Sequence, residues 1–134
     1  QAELIVVTTP QLMAQKVATR VADMAKRSFI PLLGVIENMS YFESDTGEKY
    51  NIFGEGGGEA LSDKFGIPLL GKVPISENTN NVADSGTPLI DQNNSITKVE
   101  IKKLINNIAI QLPPIIDETC TGRLAKVFEE LSNQ

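Results

Sequence analysis

Two short apolar runs with one amphipathic stretch between them constrain this chain more than anything else in it: residues 4–7, and then residues 32–36. Apolar runs without alternation, closed by turn residues, mark strands buried on both faces. Between them Met13, Val17, Val21 and Met24 recur at spacings of three and four, backed by Ala14, Ala18 and Ala25, which predicts a helix with one apolar face. Thr9 is placed to cap that helix and Pro10 suits its first position. The pattern fades near Ser28, and Pro31 forbids its continuation. Strand, helix and strand in about 35 residues form a βαβ unit, whose crossover makes the strands parallel. The chain therefore reads as layered α/β.

Downstream, Tyr41-Phe42 and the run 50–53 flank a polar stretch with a turn signal at Thr46-Gly47, as in a small hairpin. The segment Gly54-Glu55-Gly56-Gly57-Gly58-Glu59 opens a helix through Leu61 and Phe65, ended by Gly66 and Pro68. Residues 69–73 make a third buried strand with Pro74 at its exit, and a short helix is expected over 77–83. Ile101, Leu104, Ile105 and Ile108 give a covering helix over about 94–110, and Pro113-Pro114 breaks the chain. Residues 1–112 read as the domain and 113–134 as a tail with a short helix on Leu124, Val127, Phe128 and Leu131. Three strands make a short sheet, which exposes an apolar edge unless further strands lie beside it.

Seventeen acidic against twelve basic residues give a net charge of −5, which argues against nucleic acid and anionic membrane as partners. No run approaches the roughly 18 apolar residues of a membrane span. The single cysteine, Cys120, allows no internal disulfide, as expected of a cytoplasmic protein, and it reads as a small structural residue. With no histidine in the chain, imidazole catalysis and most zinc sites are excluded within it. The start at Gln1, without an initiating Met or a signal-like segment, leads us to expect further residues upstream.

The glycine-rich segment invites a phosphate-binding reading, because backbone N–H groups before a helix attract anions. A Walker A loop, however, ends in Gly-Lys-Ser/Thr, and a dinucleotide fingerprint follows a buried strand directly; neither is present. Glu55 and Glu59 would also repel phosphate. Tight turning with close packing, or the border of a ligand or partner surface, are the two readings left open. The strand ends say more. Ligands of open α/β sheets sit beyond the carboxyl ends of the strands, and Thr8-Thr9-Pro10-Gln11, Glu37-Asn38-Met39-Ser40 and Pro74-Ile75-Ser76-Glu77 all follow apolar runs. Asn38 carries a donor and an acceptor in one plane and matches a nucleobase edge, or else satisfies a turn. Glu37 reads as a polar strand-end residue.

Four strings in order then resemble one family: residues 6–11, 33–42, 52–59 and 68–75 are similar to the Mrp/ApbC/Nbp35 group of MinD-like, deviant-Walker P-loop ATPases, iron-sulfur cluster carriers. The resemblance covers about residues 3–90. It implies part of a MinD/SIMIBI-type P-loop NTPase domain, with a mainly parallel sheet flanked by helices, lacking the N-terminal Walker A half. It implies ATP as ligand, Asn38 against the adenine, and Pro74, Ile75, Ser76 and Glu77 lining the base. It further implies a homodimer of the full-length ATPase, delivery to iron-sulfur apoproteins, and no ATP hydrolysis by these 134 residues alone. Two departures stand out. Many members carry Cys-x-x-Cys after Ser-Tyr-Phe, the pair that bridges a [4Fe-4S] cluster across the dimer, where this chain has Glu43-Ser44-Asp45-Thr46-Gly47-Glu48. Many also place an aspartate where this chain has Val17. The alternative reading is a MinD-like nucleotide-dependent switch or partner-binding protein without cluster chemistry.

Overall fold

The computed structural model describes residues 2–76, 86, 88 and 96–112. Its elements are β1 (Leu4–Thr8), α1 (Leu12–Arg27), β2 (Leu32–Glu43), β3 (Lys49–Tyr50), α2 (Gly57–Phe65), β4 (Leu69–Ile75) and α3 (Ile96–Gln111). The short helix expected over 77–83 and the tail 113–134 with Cys120 lie outside the described residues.

The centre of the sheet is β2. On one side β1 runs parallel to it with Thr8 opposite Glu37; on the other β4 runs parallel with Glu37 opposite Lys72 and Asn38 opposite Val73. The far end of β2 pairs antiparallel with β3, Phe42 opposite Tyr50 and Glu43 opposite Lys49. Gly47 N–H donates to Ser44 O and Ser44 N–H to Glu48 O, both at 2.9 Å, closing the expected hairpin turn.

Two strands run further than their apolar runs. The central strand does not stop at Ile36 but continues to Glu43, through an irregular stretch in which Asn38 pairs with Val73 and the next pair is Phe42 with Ile75. Four steps along β2 thus match two along β4, and the surplus is absorbed around Met39, whose φ is +53°. Pro74 lies within β4 rather than beyond it. A proline can do so because β4 pairs with β2 alone among the described strands, and an outward-facing position needs no N–H.

The buried face of α1 is only part of the expected one, its alanine side. Ala18, Ala22 and Ala25 are buried, whereas Met13, Val17, Val21 and Met24 are 72, 59, 39 and 52% exposed. Alanines let the helix axis approach the sheet closely, and the larger side chains flank the outer edge of β1, where Val7 is also exposed. Nor does Thr9 cap this helix: its N-cap is Gln11, without a side-chain cap, and Gln15 Nε2 donates to Pro10 O at 2.8 Å.

Val6, Val35, Ala18, Ala22, Leu61 and Phe65 form the core between the sheet and the layer of α1 and α2. The Lys26 ammonium ties these helices, 4.9 Å from the Phe65 ring centre. At the C-terminus of α2, Gly66 adopts φ +65° and donates to Ser62 O, as a glycine cap should. On β4, α3 lays the buried Leu104 over Gly71, and Asn107 Nδ2 donates to Leu70 O at 2.7 Å. Of the expected α3 stripe, Ile101 and Ile108 are half-buried and Ile105 is exposed.

Candidate functional site

The two parallel registers set Thr8, Glu37 and Lys72 in one row across the sheet. Of the three strands only β1 ends at this row, since β2 runs on to Glu43 and β4 to Ile75. The expectation that all three end here is corrected, while their carboxyl ends do point the same way, the side on which an open α/β sheet places its ligand. Asn38 stands one residue beyond the row. Its Oδ1 accepts the Met39 N–H at 2.9 Å, and its Nδ2 bonds to no described residue.

A groove of about 390 Å³ runs along the outer edge of β1 and ends at Asn38. Its wall is largely apolar, with Ile5, Val7, Ala14, Val17 and Val21, and its polar groups include Thr8, Thr9 and Asn38. Thr9 Oγ1 is buried and has no hydrogen-bond partner among the described residues, and an unanswered buried hydroxyl is costly unless something else meets it. The groove is the apolar edge expected of a short sheet, the face against which a further strand would lie.

The remaining expected residues sit elsewhere. Pro74 is buried, Ile75 pairs with Phe42, and Ser76 is half-buried just past the strand. Pro74 and Ile75 belong to β4 and Ser76 follows it, all across β2 from the groove, and none of them lines it. Glu77 lies outside the described residues. Val17, where an aspartate is common in the resembling family, contributes an apolar wall.

Glu37 is more than a polar strand end. It is fully buried, with Oε1 accepting from Ser40 Oγ at 2.5 Å and Oε2 accepting from Gly58 N–H at 2.6 Å. Lys72 Nζ approaches Glu37 Oε1 at 3.7 Å and Glu59 Oε1 at 2.5 Å. The Glu59 hydrogen bond raises the Lys72 pKa; burial opposes this, and the charges of both carboxylates add to it. Burial pushes the Glu59 carboxyl up, but hydrogen bonding and the Lys72 charge together leave it below its ordinary value.

This cluster decides between the two readings of the glycines. A Cβ on Gly57 would stand 2.8 Å from Pro10 Cα and 2.9 Å from Thr9 O; one on Gly58 would stand 2.8 Å from Leu69 Cδ1 and 2.9 Å from Glu37 Cβ. Absence of side chains brings the start of α2 against the sheet, where the positive end of the helix dipole meets the protein's own carboxylate. Gly57 and Gly58 serve close packing, Gly54 and Gly56, at φ +90° and +79°, serve the turn before them, and Glu37 accepts the N–H of Gly58 at the start of the helix. The signal available in the sequence was an acidic residue on a strand upstream of a glycine-opened helix, with Lys72 on the next strand.

Comparison with known proteins agrees with this architecture. Residues 1–111 match the family model described as ParA: NUBPL iron-transfer P-loop NTPase. The iron-sulfur cluster carrier protein of Deinococcus radiodurans is 46% identical over 87 residues, 64% of this chain and 24% of that protein. The carrier protein of Bacillus subtilis is 35% identical over 112 residues, 81% of this chain and 32% of its own length. The chain thus spans a quarter to a third of the length of these curated relatives. Among solved structures, the cell division ATPase MinD of Pyrococcus furiosus superposes with a TM-score of 0.63 at 22% identity, over 82% of this chain and 43% of MinD. A nucleotide-binding protein from Archaeoglobus fulgidus, solved with ADP, gives 0.53 at 34% identity, over 61% of this chain and 34% of that one. With a MinD-like fold and a family match over most of its length, the chain belongs to the NUBPL iron-transfer group of ParA-type P-loop NTPases.

Proposed function

We propose that this chain supplies the adenine side of the nucleotide site in an ATP-binding iron-sulfur cluster carrier. The observation that carries the reading is Asn38 one residue beyond the end of β1 in a parallel sheet, with Nδ2 unengaged by any described residue and the buried Thr9 hydroxyl, just past the same strand, without a partner among them. Nδ2 donates to a ring nitrogen of the base, and the second lone pair of Oδ1 accepts from its exocyclic amine. Pro74, Ile75, Ser76 and Glu77 enter this reading from the family resemblance alone, since the first three lie at the end of β4, across β2 from the groove, and Glu77 lies outside the described residues.

The phosphates need a positioned lysine, magnesium and oriented backbone dipoles, and these 134 residues contain no Gly-Lys-Ser/Thr loop. The chain by itself holds the base and does not hydrolyse ATP. Within the full-length carrier the reading includes a homodimer acting in the cytoplasm on iron-sulfur apoproteins. The test is titration of the intact protein with ADP: Asn38→Ala weakens binding by roughly 5- to 30-fold, the scale of a lost buried hydrogen bond. Unchanged affinity removes Asn38 from the site.

The cargo raises a second reading. At the hairpin tip, Ser44 Oγ pairs with Thr46 Oγ1 at 2.8 Å, Tyr50 OH donates to Glu48 Oε2 at 2.7 Å, and Lys49 lies 3.8 Å from Glu43. These are oxygen donors already engaged with one another, and they do not fit a cluster that requires thiolate sulfur. A nucleotide-dependent switch or partner-binding protein without cluster chemistry is favoured by this tip. Anaerobic reconstitution of the intact protein with iron and sulfide separates the two: cluster absorbance at stoichiometric protein supports the carrier, and its absence supports the switch.

A further inference from the structure

We infer that Glu37 is the positioning residue of the base site, holding Asn38 in place through Ser40 and tying that site to the excursion 41–57 through Gly58. The inference rests on the adenine reading of Asn38 and adds to it a route by which an occupied site is felt elsewhere in the molecule.

Three observations carry it. Both ends of the excursion meet the same carboxylate: Ser40, just before it, donates to Oε1, and Gly58, just after it, donates to Oε2. Between Asn38 and Ser40 stands Met39 at φ +53°, a left-handed conformation that a methionine disfavours and that persists only where its surroundings hold it. The bond from Ser40 to Glu37 closes a loop of four residues around it. Finally, Asn38 Oδ1 accepts the Met39 N–H, so the plane of the Asn38 amide follows the Met39 backbone.

A buried carboxylate is a poor source of net stability compared with an apolar side chain of similar size. Its value here lies in geometry, because two hydrogen bonds of fixed direction hold the strand bulge and the start of α2 in one relation. Lys72, 3.7 Å away, offsets the charge. A base that engages Asn38 stiffens the bulge at Met39, and Ser40 and Glu37 pass that order to the excursion, whose surface exposes Tyr50 and Ile52.

The experiment compares intact wild type with Ser40→Ala and Ser40→Thr, reading ADP affinity by titration and hydrogen–deuterium exchange over residues 41–57 with and without ADP. In wild type, ADP slows exchange in 41–57. Ser40→Ala keeps the Gly58 arm and the fold, binds ADP roughly three- to tenfold more weakly as one hydrogen bond is lost near the site, and no longer slows exchange on binding. Ser40→Thr keeps the hydroxyl and restores both. Should Ser40→Ala not fold, Ser40→Cys, a weaker donor, takes its place with an intermediate loss expected.

Wild type that binds ADP without any change in 41–57, or Ser40→Ala that matches wild type in both readouts, overturns the inference while the adenine reading stands. A merely structural Ser40 lowers the melting temperature and leaves the ADP response intact, which also overturns it. Wild type that fails to bind ADP removes the adenine reading and this inference with it.

Discussion

Glu37, fully buried at the centre of the sheet, accepts a 2.6 Å hydrogen bond from the backbone N–H of Gly58, 21 residues further along the chain. The bond joins the middle strand to the first turn of α2 and places a negative charge at the positive end of that helix. Glu37→Ala leaves the Gly58 N–H and the Ser40 hydroxyl without their acceptor and removes one of the two carboxylates near Lys72. We expect a loss of about 2–4 kcal/mol in urea-induced unfolding, the range for a broken buried charged network. Glu37→Gln, which still offers an acceptor oxygen to Gly58, should lose less; equal losses would show that the hydrogen bonds are not what matters.

The same junction makes Gly58 intolerant of any side chain. A Cβ there would stand 2.8 Å from Leu69 Cδ1 and 2.9 Å from Glu37 Cβ. Gly58→Ala is therefore expected to destabilise by about 1–3 kcal/mol through overpacking, despite the higher helix propensity of alanine. Thermal unfolding checks this, and a variant as stable as wild type would contradict the packing described.

On α1, the small residues face the core and the large ones do not. Ala22→Leu should cost about 1–3 kcal/mol, because Ala22 has no exposed surface and no room beside it. Val17→Ser, at a position 59% exposed, should stay within about 0.5 kcal/mol. Denaturant titration of both variants tests which face is buried, and a reversed order of losses would refute it.

The Lys72–Glu59 pair gives stability a pH dependence with two flanks. Glu59 titrates below its ordinary value when folded, so its contribution is complete above that ordinary value and is lost as pH falls through the folded one. The Lys72 pKa is raised, so its contribution is complete below its ordinary value near 10.5 and is lost as pH rises through the folded one. Glu59 and Lys72 are 45% and 35% exposed, so solvent screening keeps both flanks shallow. Melting temperature against pH should show a plateau between acid and strongly alkaline conditions, and Lys72→Met should flatten both flanks. An unaltered profile in that variant would exclude the pair as their source.

The strands, the order of elements and the hairpin at Thr46-Gly47 were legible because apolar runs and turn residues are local signals. The buried face of α1 was legible in part: Ala18 and Ala25 belonged to the expected face, but Ala18, Ala22 and Ala25 keep the same helical spacing as Val17, Val21 and Met24, and periodicity cannot rank two adjacent stripes. The extension of β2 past Ile36 was hidden because residues 37–40 are mostly polar and bulged, with Met39 in a conformation no pattern announces. The place of Asn38, one residue beyond the end of β1 though inside β2, followed from the parallel topology. The partner of Glu37 did not, since nothing local in residues 37 and 58 encodes a contact across 21 positions.

The central claim is that adenine engages the Asn38 amide, and the most direct measurement is the ¹⁵N spectrum of that side chain in the intact protein during titration with ADP. Adenine at this site predicts a saturable shift of the Asn38 Nδ2 resonances, with the backbone amides of Thr9 and Ser76 moving at the same concentration. Saturation of the protein with ADP while the Asn38 side chain keeps its free resonance positions would contradict it.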